Sequence, residues 1–494
     1  MAAGVTITSS VRTGPSNEQL VATATMFVAG ITERGPDGTS HVVTSISDYE
    51  EIFGLAVSTD GAWVHETIET FFEEGGSRAF VSRVVPAAAV EATCILLPAS
   101  GSASVSVTLT AAGTGTWANT ADSGATGLIA VVTHPAATTF RVAIKLNATT
   151  VYTSSAHSSI ADFVEEVNNN PSAALYFTAA AGNVTTRPYA VASVSFAGGT
   201  AGGALATSDL EDALDTFTNN LGPGAVCAPG FTAAADRALL LANAAANNRI
   251  AVMSFDKDES IATVVTEAAD YAGDENSEFG AFFYPWVKIP NGSLTKVVPP
   301  EGYVCGKRAD VHNRYGSWTP WAGEKTQSNF VTDVYSSMSR TEAGTLDDGN
   351  INPIRVINGT VRIYGARSLS DDITNYRFII SREVLNQVTY EAEQSLESLL
   401  FLPIDGRKST FSRVQSTLVA ILDRIAQGGG LFAAYDAFGK QIDPGFTVQV
   451  NEANNPLSQL AAGAIKAKIG VRVSSIGDKI EVTITKSNLT ATLV

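Results

Sequence analysis

Side chains that commonly carry catalysis or hold metal ions are few in this sequence. The histidines and cysteines are His41, His65, His134, His157, His312, Cys94, Cys227 and Cys305. None of them stands in an H-E-x-x-H or C-x-x-C arrangement, the spacings that bring zinc ligands or redox thiols together. We therefore predict no catalytic residue, no cofactor-binding residue and no metal site.

Two common catalytic loops are also missing from the sequence. There is no G-x-S-x-G turn to expose a nucleophilic serine and no G-x-x-x-x-G-K-[ST] loop to bind phosphates. The nearest glycine-rich match, GGGLFA at 428–433, follows a predicted helix and is interpreted as the C-terminal cap of that helix. Because a Ser/His/Asp triad is defined by geometry, sequence order leaves an α/β hydrolase-like enzyme open as an alternative.

Adjacent acidic residues are the remaining source of paired carboxylates. Examples are Glu50–Glu51, Glu73–Glu74, Glu165–Glu166 and Asp371–Asp372. Neighbouring positions on a helix point in different directions, so the two members of a pair are not expected to share a proton. We interpret most of these pairs as solvated helix surface.

Charge and hydropathy exclude several classes of protein. The 494 residues include 49 acidic and 32 basic side chains, a net charge of -17, so a phosphate-binding surface is not expected and we predict no nucleic-acid partner. The most apolar run, ALLLANAAA at 238–246, is about half of the ~20 residues that a membrane span needs. With no signal-peptide pattern at the start, we predict no membrane anchoring, and the three scattered cysteines fit a reducing compartment.

The predicted elements divide the chain into an α/β layer and an insertion. A buried strand at 20–31, helices at 46–54 (with Ser47 as N-cap) and 61–76, and a strand at 78–85 form the first part. From 205 to 290 strands and helices alternate, with 279–289 as one strand, which predicts an open α/β layer with a largely parallel sheet. Between the two parts, 90–200 contains short β patterns and only eight charged residues, typical of a β-sandwich-like insertion.

The last third has its own pattern. Asn358-Gly359 predicts a hairpin turn. Two helices follow, each with one apolar stripe: Val384, Val388, Ala392, Leu396 and Leu400 in the first, Phe411, Val414, Leu418, Ile421 and Ile425 in the second. Alternating strands are predicted at 467–473 and 479–485.

Several of these stretches resemble contractile tail sheath proteins of bacteriophages and of related tailocins and injection systems. They are FFEEGGSRAFVSRV (71–84), FFYPWVKI (282–289), VPPEGYVCGKRADVHNRYGSWTPWAGEK (298–325), INPIRVINGTVRIYGARSLSDD (351–372) and FSRVQSTLVAILDRIAQGGGLFAAYDAFG (411–439). Their succession in the family's order, over about 20–485, carries the resemblance. At 378–383, where many members have a paired-Arg step, only Arg382 is present.

The resemblance implies a multidomain α/β fold. It comprises an N-terminal extended arm (1–19), a central subtilisin-like α/β layer (20–89 and 201–354), the inserted β-sandwich-like domain (90–200), an α+β C-terminal domain (355–477) and a C-terminal extended arm (478–494). The family's arms add strands to the sheets of neighbouring subunits, which would make Val5, Ile7, Ile480, Val482 and Ile484 inter-subunit anchors.

The resemblance also implies a mechanical function. Family members stack as hexameric rings into a helical sleeve around the tail tube, with a baseplate and a tail terminator as further partners, in a virion tail assembled in the bacterial host cytoplasm. Basic residues around the 411–427 helix are candidates to face the tube: Arg407, Lys408, Arg413 and Arg424. Residues 1–354 contain 17 basic and 36 acidic side chains and 355–494 contain 15 and 13, so the last third is the part suited to an acidic partner.

Two alternatives come from other classes of protein. The strand–helix alternation also suits an α/β hydrolase-like enzyme, which requires a Ser, His and Asp within hydrogen-bond reach. The Thr/Ser-rich insertion also suits a non-contractile self-assembling virion or shell protein.

Overall fold

The computed structural model describes residues 22–57, 61–120, 127–404 and 408–478. Its first part contains β1 (Met26–Gly30), β2 (Ser40–Val43), α1 (Ile46–Phe53), α2 (Val64–Glu73) and β3 (Ala79–Arg83). The insertion contains β4 (Thr93–Leu96), β5 (Val107–Ala111), β6 (Leu128–Ala136), β7 (Thr139–Leu146), β8 (Thr149–Thr153), α3 (Ile160–Asn168), α4 (Pro171–Ala174), β9 (Phe177–Ala181) and β10 (Val191–Ser195).

The second half begins with the larger part of the α/β layer. Its elements are α5 (Thr207–Asp215), β11 (Ala225–Cys227), α6 (Ala234–Ala246), β12 (Ile250–Met253), α7 (Ile261–Ala269), β13 (Gly280–Tyr284), β14 (Val287–Asn291), β15 (Leu294–Val298), α8 (Glu301–Tyr315), β16 (Asp333–Val334), α9 (Arg340–Asp348), β17 (Ile351–Ile357) and β18 (Thr360–Ile363). The C-terminal part contains α10 (Ile379–Glu397), α11 (Ser409–Gln427), β19 (Ala434–Tyr435), β20 (Gln441–Asp443), β21 (Phe446–Gln449), α12 (Leu457–Ala461) and β22 (Lys468–Val471).

One central sheet organises the α/β layer. Its strand order is β18–β17–β13–β12–β11–β1–β3–β2. The six strands from β17 to β3 pair in parallel, and the edge strands β18 and β2 pair antiparallel. This confirms the largely parallel sheet expected from the alternating pattern.

Both faces of that sheet are buried, which explains the nearly continuous apolar strands. Met26 and Val28 of β1 face a cluster that includes α1, α2 and α8. Phe27 and Ala29 face the opposite cluster, which includes α5, α6, α7 and α9. Because strand side chains alternate between faces, each strand contributes to both cores of a three-layer arrangement.

Two local predictions in this layer are wrong. The N-cap of α1 is Ser45 instead of Ser47: Ser45 has extended backbone, and its hydroxyl accepts the Asp48 N–H at 3.1 Å. An N-cap must lie outside the helical turn whose N–H groups it binds, and Ser47 lies inside it. The single strand expected at 279–289 is two, β13 and β14, divided at the cis Tyr284–Pro285 bond, with β14 in a separate sheet beside β15 and β16.

The insertion consists of two antiparallel sheets around one core. The sheets are β10–β6–β7–β8 and β4–β5–β9. Phe140 of β7, Phe163 of α3 and Phe177 of β9 are all fully buried in the shared cluster. Arg83 joins this unit to the α/β layer, because its Nη1 donates to Asp37 Oδ1 at 2.8 Å and to the Thr114 carbonyl at 2.9 Å.

In the C-terminal part, α10 and α11 pack on the two-stranded sheet of β21 and β22. The predicted stripe of α11 is buried at all five positions. The stripe of α10 ends early, because the helix stops at Glu397 and Leu400 lies beyond it with 54% of its surface exposed. Within the described ranges no helix is both long and apolar enough to cross a membrane.

Candidate functional site

The outer edge of β22 is the most distinctive surface of the C-terminal part. β22 pairs antiparallel with β21, with Val471 opposite Phe446 and Lys468 opposite Gln449. The Arg472 N–H donates to the Gly445 carbonyl at 2.8 Å, so the even-numbered residues direct their backbone groups towards β21. The N–H and C=O groups of Ile469 and Val471 therefore point away from β21, to a side of β22 on which no other described strand pairs.

A mainly apolar groove runs beside this edge, and we call it the edge groove. It has a volume of about 390 Å³. Its lining comes from α10 and β22: Leu385, Val388, Thr389, Ala392, Glu393, Leu396, Ile469 and Val471. A second cavity of about 420 Å³ continues past Val471 to the loop at 373–378.

An extended peptide suits the chemistry of the edge groove. Free backbone groups on an edge strand offer a ladder of hydrogen bonds, and pockets beside them select alternate side chains. An unprotected edge of this kind promotes association unless a partner covers it. The groove therefore has the features of a strand-binding site.

The predicted arm anchors lie outside the described residues. These are Val5, Ile7, Ile480, Val482 and Ile484. Their pairing stays a prediction. The described residue nearest to the C-terminal anchors is Asp478.

The predicted tube-facing residues have different surroundings. Arg407 lies outside the described residues, and Lys408 forms an exposed ion pair with Glu452 at 2.7 Å. Arg424 forms an ion pair with Glu391 of α10. Arg413 is exposed and forms no ion pair within the described ranges. It lies 11 residues before Arg424, about three helical turns, so both lie on one face of α11.

Sequence reasoning missed a buried carboxylate at the end of α2. Glu74 is fully buried and lies 2.8 Å from Nζ of Lys307, itself 2% exposed. Its oxygens accept N–H groups from Asn329, Phe330 and Val331 at 2.8–3.0 Å. Burial alone would raise the pKa of Glu74, but Lys307 and these donors hold it below its ordinary value. This carboxylate ties the loop at 328–331 to α2 and α8.

A second buried pair connects three parts of the chain. Arg308 of α8 binds Glu383 of α10 through two hydrogen bonds, of 2.5 and 2.8 Å, and each side chain is 1% exposed. Nη1 of Arg308 also donates to the Thr23 carbonyl at 2.5 Å. The pair joins the start of the described chain to the α/β layer and the C-terminal part. The sequence contains no signal for it, because its members are 75 residues apart.

The histidines do not assemble a hydrolytic triad within the described ranges. His157 binds Glu166 at 2.7 Å and His65 binds Glu50 at 3.2 Å, with no serine hydroxyl bound to either imidazole. His312 is fully buried, and burial together with Arg308 lowers its pKa well below the ordinary value. The described residues also contain no group of three or more His, Cys, Asp or Glu side chains placed to hold a metal ion.

Glu301 at the start of α8 should make stability depend on pH. Burial raises the pKa of this carboxyl to about 7, and Ser254 donates to its Oε1 at 2.6 Å. In the unfolded chain the Glu301 carboxyl ionises near its ordinary pKa, whereas in the folded protein it ionises only near pH 7. Between these two values the folded state binds more protons than the unfolded state, so the free energy of unfolding falls as the pH rises. Glu301→Gln should stabilise the protein by about 2–3 kcal/mol at pH 8 and by almost nothing at pH 4.

Thermal unfolding of both proteins from pH 4 to 8 measures this difference. The exposed Glu324 on the following loop gives the control, Glu324→Gln, which should follow the wild type at every pH. A pH-independent difference between Glu301→Gln and the wild type would show that folding does not raise the pKa of Glu301.

Solved structures with a similar fold align with almost the whole chain. No protein-family model and no curated protein matches the sequence. The PVC sheath complex of an extracellular contractile injection system, in its contracted state, is similar with a TM-score of 0.57 and 15% identity over 98% of this chain and 99% of that chain.

Two further structures show the same likeness. The helical sheath of the anti-feeding prophage in its contracted state has a TM-score of 0.55 and 14% identity over 98% of this chain and 100% of that chain. The sheath tail protein from Listeria innocua has a TM-score of 0.60 and 14% identity over 87% and 89%. The chain thus has the fold of the sheath proteins of contractile injection systems.

Proposed function

We propose that this protein is the structural subunit of a contractile tail sheath. It polymerises as a helical sleeve around a tail tube and contracts after a signal from the baseplate, driving the tube through the envelope of a target cell. The observation that carries this proposal is the fold likeness to two contracted sheaths over 98% of the chain. The proposal includes a non-enzymatic role, with the central layer as a subtilisin-like scaffold whose described histidines form no catalytic triad.

Assembly requires contacts that do not close on themselves, because only a heterologous interface extends into a helix. The edge groove supplies one half of such a contact. The arms supply the other half: Ile480, Val482 and Ile484 alternate with polar residues, so one face of an extended strand carries all three side chains. A strand added beside β22 would direct that face towards the apolar wall of α10.

Contraction in this scheme uses energy stored at assembly. The extended sleeve is held kinetically on the tube, and a change at the baseplate releases a rigid-body rearrangement of folded subunits. Arms paired with neighbouring subunits keep those subunits attached while the other interfaces change. The partners are other copies of the chain in hexameric rings, the tube, the baseplate and a tail terminator, in a particle assembled in the bacterial cytoplasm.

A charge placed in the edge groove tests the assembly site. Ala392→Glu puts a carboxylate into the apolar wall of α10, where an incoming strand would have to bury it at high cost. The monomer should fold normally, because the groove is open, but long sleeves should be absent from electron micrographs. Gln394→Glu adds the same charge on the exposed side of the helix and should assemble as the wild type does. Normal sleeves from Ala392→Glu would contradict strand binding in this groove.

The tube contact is a separate proposal and has its own test. Arg413→Glu should weaken co-assembly with the tube several-fold, because an exposed cation on α11 becomes an anion facing an acidic partner. Arg424 is a poorer choice, since it already binds Glu391 and its reversal would disturb α10 as well. Arg141→Glu, the same change at an exposed position in the insertion, should leave co-sedimentation with tubes unchanged. Equal binding by both variants would rule out this surface.

A further inference from the structure

The C-terminal part of the chain returns to the α/β layer at Asp478, the first residue of the predicted C-terminal arm. Its Oδ2 lies 3.0 Å from Nη2 of Arg367 and 3.6 Å from Nη2 of Arg377. Arg367 follows β18 of the central sheet, so this contact joins the chain that follows β22 to the α/β layer. We call Arg367, Arg377 and Asp478 the arm clamp.

Arg367 is also held in place by contacts with residues other than Asp478. Its side chain is 4% exposed and binds Asp347 of α9 through two hydrogen bonds, of 2.7 and 2.6 Å. Its backbone N–H donates to Oδ1 of Asn352 at 2.6 Å, and Asn352 is a fully buried residue of β17 that also binds the Phe282 carbonyl of β13 at 3.0 Å. A force applied to Arg367 therefore reaches two parallel strands of the central sheet.

Phe378 lies under both cations of the clamp. The guanidinium groups of Arg367 and Arg377 lie 5.1 and 5.6 Å from the centre of its ring. Cation–π contacts of this length stabilise both side chains in place. The Ser368 N–H also donates to the Arg377 carbonyl at 3.2 Å, so the two arginines are connected through their backbones.

The chain between β22 and the clamp crosses from the two-stranded sheet of β21 and β22 to the α/β layer. The Phe432 N–H donates to the Arg472 carbonyl at 2.7 Å, and the Ser474 N–H to the Gly430 carbonyl at 3.0 Å, so residues 472–474 are still bound to the segment that follows α11. Asp478 follows only four residues after Ser474, a distance of at most about 14 Å. The crossing borders the cavity of about 420 Å³ between the 373–378 loop and 471–475.

We propose that Arg367 and Arg377, by holding Asp478, fix the point at which the C-terminal arm leaves the subunit and pass the pull of a neighbouring subunit into the central sheet. This proposal rests on the proposed sheath function. Without the clamp, tension on the arm would act on the hydrogen bonds between 472–474 and 430–432 and then peel β22 from β21. That two-stranded sheet has four residue pairs and is weak by itself. With the clamp, tension stops at Asp478 and β22 keeps its position beside the edge groove.

Asp478→Asn tests the clamp, because it removes the charge that both arginines hold and keeps the size of the side chain. Exchange of the Ser474 N–H, which donates to the Gly430 carbonyl, should speed up by up to about fivefold in the monomer, the upper end for loss of a partly exposed ion pair. Sleeves should be several-fold shorter and should break on contraction. Asp443→Asn is the control, since it removes an exposed ion pair with Arg472 (2.8 Å) in the same domain and should change neither readout.

Truncation of residues 479–494 in parallel separates this proposal from the sheath function. The clamp alone would be overturned if the truncated chain forms no sleeves but Asp478→Asn shows wild-type exchange and wild-type sleeves. Normal sleeves from the truncated chain would overturn the arm function. If the wild-type chain forms no sleeves, exchange of the Ser474 N–H still decides whether the clamp holds the chain beyond β22: unchanged exchange in Asp478→Asn overturns the clamp.

Discussion

Glu383→Gln is expected to lower the free energy of unfolding by about 3–5 kcal/mol, because it leaves the buried guanidinium of Arg308 without its counter-charge. Removing one member of a buried ion pair costs far more than the pair itself contributes. The melting temperature, measured by calorimetry or intrinsic fluorescence, should fall by several degrees.

The same pair allows a matched control. The double variant Arg308→Met with Glu383→Leu replaces both charges by apolar groups of similar volume and should recover much of the lost stability. Glu393→Gln changes an exposed carboxylate on the same helix and should leave the melting temperature unchanged. A melting temperature of Glu383→Gln equal to that of the wild type would show that Arg308 is satisfied without Glu383.

Deletion of residues 1–19 has the largest expected effect on assembly. The truncated chain should be a soluble monomer that forms no long sleeves, because the proposed arm would no longer add a strand and its hydrogen bonds to a neighbouring subunit. Electron microscopy of the wild-type and truncated proteins at equal concentration measures the effect. Sleeves of normal length from the truncated chain would contradict the role of the N-terminal arm.

A finer version of this experiment distinguishes strand pairing from charge. Val5→Asp with Ile7→Asp places two carboxylates on the apolar face of the predicted strand and should prevent sleeve formation. Thr6→Asp with Thr8→Asp places the same two charges on the opposite face, since strand side chains alternate. The second variant should still assemble. If both double variants lose sleeve formation equally, the added charge disrupts the arm whichever face of the strand carries it.

Regular patterns explain why much of the architecture could be predicted from the sequence. Strand–helix alternation identified the parallel sheet, and the stripe of Phe411, Val414 and Leu418 identified the buried face of α11. Asn358 and Gly359 adopt positive φ, as the predicted hairpin turn requires. These features depend on neighbours close in sequence.

The contacts that depend on distant neighbours could not be predicted. Glu74 belongs to an acidic pair that looks like solvated surface, and only the fold brings Lys307 and the loop at 328–331 to it. The same holds for Arg308 with Glu383 and for Asp478 with Arg367. Charges 75 or 111 residues apart leave no periodic signal, so the ion pairs that connect distant parts of the chain become visible only in three dimensions.

Cryo-electron microscopy of the purified full-length protein, alone and with a tail tube protein, tests the sheath function most directly. The predicted result is hollow tubes with six subunits per ring in a helical stack, and sleeves around the added tubes. Density for a neighbour's strand should lie beside β22, over Val388 and Ala392. Particles that remain monomeric in both conditions, or closed shells without helical order, would contradict a contractile sheath.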